Sequence, residues 1–477
     1  MHITDMIRYW ARTDPNRPAL IQPDLVTSYQ ALAAAIDSIG GRLQQMAFPP
    51  REVVGVSLNN PSIFVATVFA LLRDGKNAAL LNRTLLPLLQ PAGIRNLIYD
   101  AQGQILSGGK NVRFDPSWLA NPNTEHLAKP DGRVEGGDLV YFTSGTTGLP
   151  KKVVQTGAAL QQLLSYPYTC ASGPHQKMLI MPGQSTTFGF NRVCEVLNAG
   201  KTACFAQDST LALALISLHN VEVVVASAVQ ALALVKAKKS FPGYRVDSID
   251  TLFVGGGNVA PESIASIRAT LCRNVVNQYG STEAGVVALT PFDVLNDRPG
   301  GVPLPWVELQ IIDATGRQLP PGGEGHIRFR TPQLAANLAA SDAIPNVRDG
   351  WFYPGDLGSL TADGVLRIQG RSSDVINRGG VKVSGARIEQ ILEGLPQVKE
   401  AAACGVLGPS GLEEIWIAIV PGGSVDTEEI KRALREHQDV LIAPDEVFLL
   451  DELPRGELGK VQKLQLKELL LSRKKAA

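Results

Sequence analysis

Residues 141–152, YFTSGTTGLPKK, run hydroxyl and glycine residues from Thr143 to Gly148 in front of Pro150 and the paired Lys151 and Lys152. The flanking stretches, GDLVYFTS before and VVQTGAALQQLL after, are apolar or β-favouring, so the segment reads as a loop leaving a strand. Thr143, Ser144, Thr146 and Thr147 offer hydroxyl donors, Gly145 and Gly148 let backbone come close to a ligand, and Lys151 adds a mobile positive charge. That is a cradle for phosphate. A Walker A loop would need Gly-Lys-Ser/Thr opening a helix, which this segment does not have. A mobile Gly/Ser/Thr linker is the plain alternative, and lysines placed straight after a proline between strand-like runs argue against it. The loop alone identifies neither the phosphate nor the reaction.

Outward from the loop, apolar runs of strand length alternate with helical-period stretches through most of the first 290 residues, as in REVVGVSLNN then PSIFVATVFALLRDG, and KMLIMPG then NRVCEVLNAG. This predicts a layered α/β domain with parallel strands. From about residue 300 the texture changes to short strands and Gly-rich corners, WVELQIIDATGRQLPPGGEGHIRFR and GWFYPGDLGSLTADGVLRIQGR, which predict a β-rich subdomain or small barrel. After QGRSSDVINRGG come a helix RIEQILEGL, strands AAACGVL and EIWIAIVPG, a helix TEEIKRALREHQ and a charged end. These form a separate small α+β unit of about 105 residues, and the boundary, near Arg371 to Asp374, divides 1–371 from 372–477.

The 477 residues, 44% hydrophobic and 19% charged, are ordinary for a globular chain of two or three domains. Forty-five basic residues balance forty-five acidic ones, which leaves no electrostatic footprint for nucleic acid or an anionic membrane surface and points to small-molecule partners. Cys170, Cys194, Cys204, Cys272 and Cys404 are scattered, without C-x-x-C or a His placed to complete a zinc ligand set, and read as reduced buried thiols of a cytoplasmic protein. The first residues lack the apolar core of a signal peptide. The most apolar long run, LALALISLHNVEVVVASAVQALALV, is broken by His219, Asn220 and Glu222 and reads as helix, buried strand and helix, not as a membrane span. The terminal KKAA reads as a solvated tail.

Five further segments bear on chemistry. TLFVGGGNVAPESIASIRATL mimics a dinucleotide fingerprint with Pro261 in the first turn of its helix, yet the next strand, NVVNQYG, ends without the acidic residue that fingerprint needs. A tight strand-to-helix turn remains the simpler reading, although Gly255 to Gly257 can lie against a flat ligand such as a purine. In NQYGSTEAG, Gly280, Ser281 and Thr282 form a small polar turn and Glu283 can hold a hard cation such as Mg2+, an exposed Glu in a turn being the bland alternative. WFYPGDLG places Asp356 in a tight turn where a carboxylate can take both hydroxyls of a ribose; taken alone, a plain Gly-Asp turn is favoured. QGRSSDVINRGGVKVSGARIE and LPRGELGKVQK put basic residues in Gly-containing loops, which singly suit solvated surface equally well.

Taken together and in order, these segments resemble the adenylate-forming superfamily of acyl- and aryl-CoA synthetases, peptide-synthetase adenylation domains and luciferases. The resemblance covers nearly the whole chain. It implies a large N-terminal domain of layered α/β subdomains with a small β-barrel-like subdomain, followed by a small mobile α+β C-terminal domain. It also implies a two-step reaction: a carboxylate attacks the α-phosphate of ATP to give an acyl-adenylate and pyrophosphate, and a thiol then displaces AMP. A carboxylate is already ionised at neutral pH, so the first step needs positioning and relief of charge repulsion and no general base.

By this resemblance Lys460 reaches the carboxylate and the α-phosphate, Thr282 touches the α-phosphate and Glu283 holds Mg2+. The loop from Thr143 through Ser144, Gly145, Thr146, Thr147 and Gly148 to Lys151 wraps the departing phosphates. Gly256, Gly257 and Tyr279 are candidates for the adenine slot, Gly280 beside them belongs to the nucleotide site, and Asp356 and Arg371 bind the ribose. Ser373 is the hinge about which family members rotate the small domain between the steps, and Phe188, Phe190, Ser227 and Gly285 are placed at the acid pocket by position.

The chain departs from the family pattern at Lys152, where Gly is usual, at Ser373, where Asp or Lys is usual, and at Asn377, where Lys is common. MPGQSTTFGFNRVCEVL lacks the His or large aromatic that gates many acid pockets, and TPQLAANLAASDA lacks the usual Gly-Tyr. No Asp lies between Pro182 and Arg192 to pair an amino group, which argues for a simple aryl or aliphatic acid. The expected acceptor is CoA. The alternatives are an acyl-AMP ligase loading the phosphopantetheine of a carrier protein in trans and, in a different class, a nicotinamide-dependent oxidoreductase built on GGGNVA or an inactive nucleotide-binding protein.

Overall fold

A computed structural model of the chain describes residues 3–49, 52–82, 93–100, 109–119, 136–143, 151–166, 173–256, 259, 261–296, 300–338, 346–378, 381–408, 413–436, 444–456 and 459–476. The chain divides into two compact units, one of Met1–Gly256, Ala265–Val287 and Arg330–Pro345, the other of Gly257–Ile264, Ala288–Phe329 and Asn346–Ala477.

The first unit is α/β, as the alternation predicts. One sheet has six strands in the order Asn111–Arg113, Asn96–Tyr99, Val53–Ser57, Asn77–Leu80, Leu139–Thr143 and Lys151–Gln155. All neighbours are parallel except the last pair, an antiparallel hairpin. An eight-stranded sheet runs Gly285–Pro291, Asn274–Ser281, Thr251–Gly255, Val223–Ser227, Lys177–Ile180, Thr202–Cys204, Pro18–Gln22 and the antiparallel edge Leu25–Ser28. Val223–Ser227 is buried at every position, which is why this run is apolar without alternation: a parallel strand covered on both faces has no solvent side. The apolar run around it resolves into the helix Ser209–His219, this strand and the helix Ala228–Ser240. Asn220 stops the first helix in the left-handed conformation at φ 50°. The helix Pro61–Arg73 starts where Asn60 accepts from Ile63 N and Pro61 presets the first turn.

The second unit carries the β-rich segment, a seven-stranded sheet joined to short turns, and the C-terminal residues with a three-stranded sheet. Its strand Glu413–Pro421 shows why EIWIAIV is apolar throughout. Ile415, Ile417 and Ile419 face the helices Gly385–Glu393 and Thr427–Glu436 through Ile388, Leu392, Ile430 and Leu434. Trp416, Ala418 and Val420, on the opposite face by the two-residue period, pack with Leu466 and Leu470. Those leucines belong to a helix, Lys463–Ala476, which gives the charged end an ordered element; Lys474 near its end is exposed. Charged residues are interleaved with leucines there, and the leucine spacing supplies a buried stripe.

Among the described residues no helix is long and apolar enough to cross a membrane. Cys194, Cys204, Cys272 and Cys404 are buried free thiols; Cys170 lies outside the described residues.

Candidate active site

The phosphate-loop segment sits on the edge hairpin of the six-stranded sheet. Thr143 ends one strand opposite Lys151, which begins the next, and Phe142 pairs with Lys152. Ser144, Gly145, Thr146, Thr147 and Gly148 lie outside the described residues, between these paired ends. Lys151 is half-buried and Lys152 is exposed, as expected for adjacent strand residues on opposite faces. The extra lysine therefore leaves the Lys151 side of the hairpin unaltered.

In the eight-stranded sheet Ser227 and Gly255 stand side by side at the carboxyl ends of two parallel strands, with Gln278 in register on a third that runs on to Ser281; this is the end at which open α/β sheets bind ligands. Gly256 follows with φ +81°, a conformation that favours glycine; Gly257 is outside the described residues. Tyr279 is half-buried one residue beyond Gln278. Gly280 and Ser281 prolong the strand Asn274–Ser281, so the turn is shorter than expected and consists of Thr282, Glu283 and Ala284. The reason is close approach: a Cβ on Gly280 would collide with the Gly285 carbonyl, and its absence lets pairing continue to the turn.

That turn is held from a helix the sequence pattern does not announce, Pro332–Leu338, within TPQLAANLAASDA. Thr331 Oγ1 donates to the Ala284 carbonyl at 2.8 Å and accepts from Leu334 N at 3.0 Å, capping the helix. Asn337 Nδ2 donates to the Glu283 carbonyl at 3.3 Å. Ser281 Oγ accepts from Ala284 N at 3.2 Å. The available signal is Thr followed by Pro, an N-cap and first-turn pair, ahead of leucines spaced by four.

Of the four pocket candidates, Phe188 reaches the strand ends: its ring tip would touch a Cβ on Gly255 at 3.0 Å. Phe190 does not. It is fully buried and packs on Phe64 and Phe69 at ring-centroid distances of 6.1 and 5.6 Å, which makes it a core residue. Ser227 is also committed elsewhere, its Oγ accepting from Gln230 N while Gln230 Oε1 accepts from Ser227 N, a capping box for the helix Ala228–Ser240. Gly285 has φ +75°, and a Cβ there would collide with Gln333 Oε1.

In the second unit Asp356 and Arg371 face each other across the strands Asp356–Leu360 and Leu366–Arg371, with Arg371 Nε 3.3 Å from Asp356 Oδ1. Asp356 begins a strand directly after Gly355 and does not stand within the turn. Its carboxylate is buried while Arg371 is exposed. Ser373 lies in a single 3-10 turn, Ser372–Asp374, anchored where Ser372 N and Oγ both donate to the Gly355 carbonyl at 2.7 and 3.0 Å. Asn377 has a described backbone in the strand Val375–Arg378.

Lys460 is exposed on a loop closed upon itself. Gly456 N donates to the Lys460 carbonyl at 2.8 Å, Gly459 N to the Gly456 carbonyl at 2.8 Å and Gln462 N to the Pro454 carbonyl at 2.8 Å, while Arg455 bridges to Val461. Arg455 ties this loop to Glu400 at 2.8 Å. Lys463 donates to the Ala403 carbonyl at 2.7 Å and pairs with Glu389. Burial raises the Glu389 carboxyl from its ordinary range, with Lys463 pulling it back.

The described candidates are thus divided between the units, Thr143, Lys151, Gly256, Tyr279, Gly280, Thr282 and Glu283 in the first and Asp356, Arg371, Ser373 and Lys460 in the second. Among the described residues no three His, Cys, Asp or Glu side chains gather as a metal cage. Glu283 offers a single half-buried carboxylate in a polar turn. This suits a Mg2+ that takes its remaining ligands from nucleotide phosphates and water. Asp356, buried yet at a strand start, suits a diol acceptor.

The family model of AMP-binding enzymes matches residues 7–337 and that of the AMP-binding enzyme C-terminal domain residues 387–460, so the chain belongs to the AMP-binding enzyme family. It is 27% identical to the indoleacetate–CoA ligase of Aromatoleum aromaticum over 98% of each chain. It is 26% identical to the 2-succinylbenzoate–CoA ligase of Bacillus licheniformis over 96% of this chain and 98% of that one. The solved structure of O-succinylbenzoate coenzyme A synthetase from Bacillus subtilis in complex with ATP and magnesium ion shares the fold, with TM-score 0.81 and 24% identity over 97% of this chain and 99% of that one.

Proposed function

We propose that the protein activates a carboxylic acid with ATP, releasing pyrophosphate, and passes the acyl group to the thiol of CoA. The observation that carries this is the match of both family models in order along the chain, ending at Lys460 itself; the full-length likeness to CoA ligases supports it. In this reading Thr143 to Lys151 grips the β- and γ-phosphates, and Gly256, Gly257, Tyr279 and Gly280 bound the adenine. Asp356 accepts from the ribose hydroxyls beside Arg371. Thr282 donates to the α-phosphate, and Lys460 stabilises the charge that gathers as the acid oxygen attacks it. Mg2+, held by Glu283, would neutralise phosphate charge. Phe188 contributes to the wall of the acid pocket.

The division at residues 371 and 372, with Ser373 as pivot, lets one chain serve two steps. The enzyme works in the cytoplasm, where CoA and ATP are supplied. Pyrophosphate release from ATP with a panel of aryl and aliphatic acids, each with and without CoA, tests the reading. Acid-dependent release with acyl-CoA formation is expected. Release without acyl-CoA, with loading of a carrier protein, would shift the acceptor to phosphopantetheine, and no release above an ATP-only background would overturn the function.

A further inference from the structure

We propose that Asn337 is a positioning residue that ties the strand beginning at Lys151 to the Thr282–Glu283 turn, and so sets the spacing between Lys151 and the Glu283 carboxylate. The inference rests on the function proposed above. Its ground is a chain of hydrogen bonds inside the first unit.

Asn337 is 2% exposed, and its carboxamide is used at both ends. Oδ1 accepts from Thr156 N at 2.9 Å and from Thr156 Oγ1 at 3.2 Å. Nδ2 donates to the Glu283 carbonyl at 3.3 Å. Thr156 is the residue directly after the hairpin strand Lys151–Gln155 and caps the helix Gly157–Ser165, accepting from Ala159 N at 3.1 Å. One side chain therefore joins the segment that leaves Lys151 to the backbone of Glu283. Thr331, at the other end of the same short helix, holds the next carbonyl, Ala284. The backbone from which the Glu283 side chain leaves is therefore anchored at two consecutive carbonyls.

The bonds select the residue type. Two donors on one side and one acceptor on the other require a group with an acceptor and a donor on the same short stem, which Asn has. Asp would keep the Thr156 bonds and set an oxygen against the Glu283 carbonyl. This is also the segment in which the chain lacks the family's usual Gly-Tyr, so the tie is a property of its own residues.

The test is calorimetric binding of ATP, with and without Mg2+, and of AMP, to the intact chain without acid. AMP has no β- or γ-phosphate and needs no such spacing. Asn337→Asp is expected to weaken Mg-ATP binding about tenfold or more while AMP binding changes less than about twofold, and in pyrophosphate exchange to lower kcat with the KM for the acid unchanged. Equal weakening of both nucleotides, or of neither, would overturn the proposal. If Asn337→Asp lacks a cooperative thermal transition, Asn337→Ser and Thr331→Val replace it in the same comparison: selective loss of Mg-ATP binding supports the tie, and equal or absent loss overturns it. A wild-type chain that binds neither nucleotide would refute the proposed function instead.

Discussion

Lys460 projects from a loop whose own backbone bonds, with Gly459 at φ +75°, fix where its stem begins. A flexible ammonium on a rigid base can follow charge as it moves from carboxylate to phosphate. Lys460→Ala is therefore expected to slow acyl-adenylate formation about 100-fold or more while largely sparing thioester formation from supplied acyl-adenylate. The two half-reactions, measured separately, check this, and equal loss in both would refute the division of labour. Lys460, Glu283 and Asp356 are nominated from short motifs that singly suit a plain turn or surface loop and carry weight only together and in order along the chain. The roles of Phe190 and Ser227 are not legible in this way, because what occupies them lies far along the chain or in the backbone: Phe64 and Phe69 for one, a helix end for the other.

Elements are legible where one period rules. The helix Pro61–Arg73 and the strand Val223–Ser227 follow directly from their apolar patterns. Pro332–Leu338 and Lys463–Ala476 escape such a reading because their apolar stripes are narrow and small or charged residues fill the remainder. The helix Thr187–Asn198 poses a different problem, with Arg192 and Glu195 paired one turn apart at 2% and 3% exposure. Burial pushes the Glu195 carboxyl up to about 7, with Arg192 drawing it down. Arg192→Met should cost about 3–5 kcal/mol in denaturant unfolding, and Arg192→Met with Glu195→Leu should recover much of it. A raised carboxyl binds its proton more tightly folded than unfolded, so its contribution to stability falls as pH climbs from the ordinary Glu range through 7. The Arg192→Met deficit is accordingly expected to hold steady from about pH 5 to about pH 6 and to widen above about pH 7, where Glu195 ionises beside Arg192 and not without it; a deficit independent of pH would show that Glu195 does not titrate in this range.

For the whole molecule, order along the chain tells more than composition. The α/β class with a β-rich segment and a small α+β end is readable from changes of texture, whereas the return of residues 330–345 to the first unit is not: their partners, Thr156, Glu283 and Ala284, are distant in sequence. The two-step reading places one demand on the pivot. Ser373 occupies a single 3-10 turn, so Ser373→Pro, which fixes one dihedral, should leave adenylation within about threefold and lower thioester formation about tenfold or more. Unchanged rates in both half-reactions would place the pivot elsewhere.

Gly285, doubly constrained by its positive φ and by the nearby Gln333, has a consequence for anyone seeking to retarget the enzyme. A library that randomises every pocket position would waste diversity there, since any side chain at 285 must displace a buried amide and strain the chain at once. Under the proposed function, changes of acid preference are better sought at the half-buried Gln184 and Phe188 than at Thr186, whose hydroxyl caps the helix Thr187–Asn198 by accepting from Gly189 N.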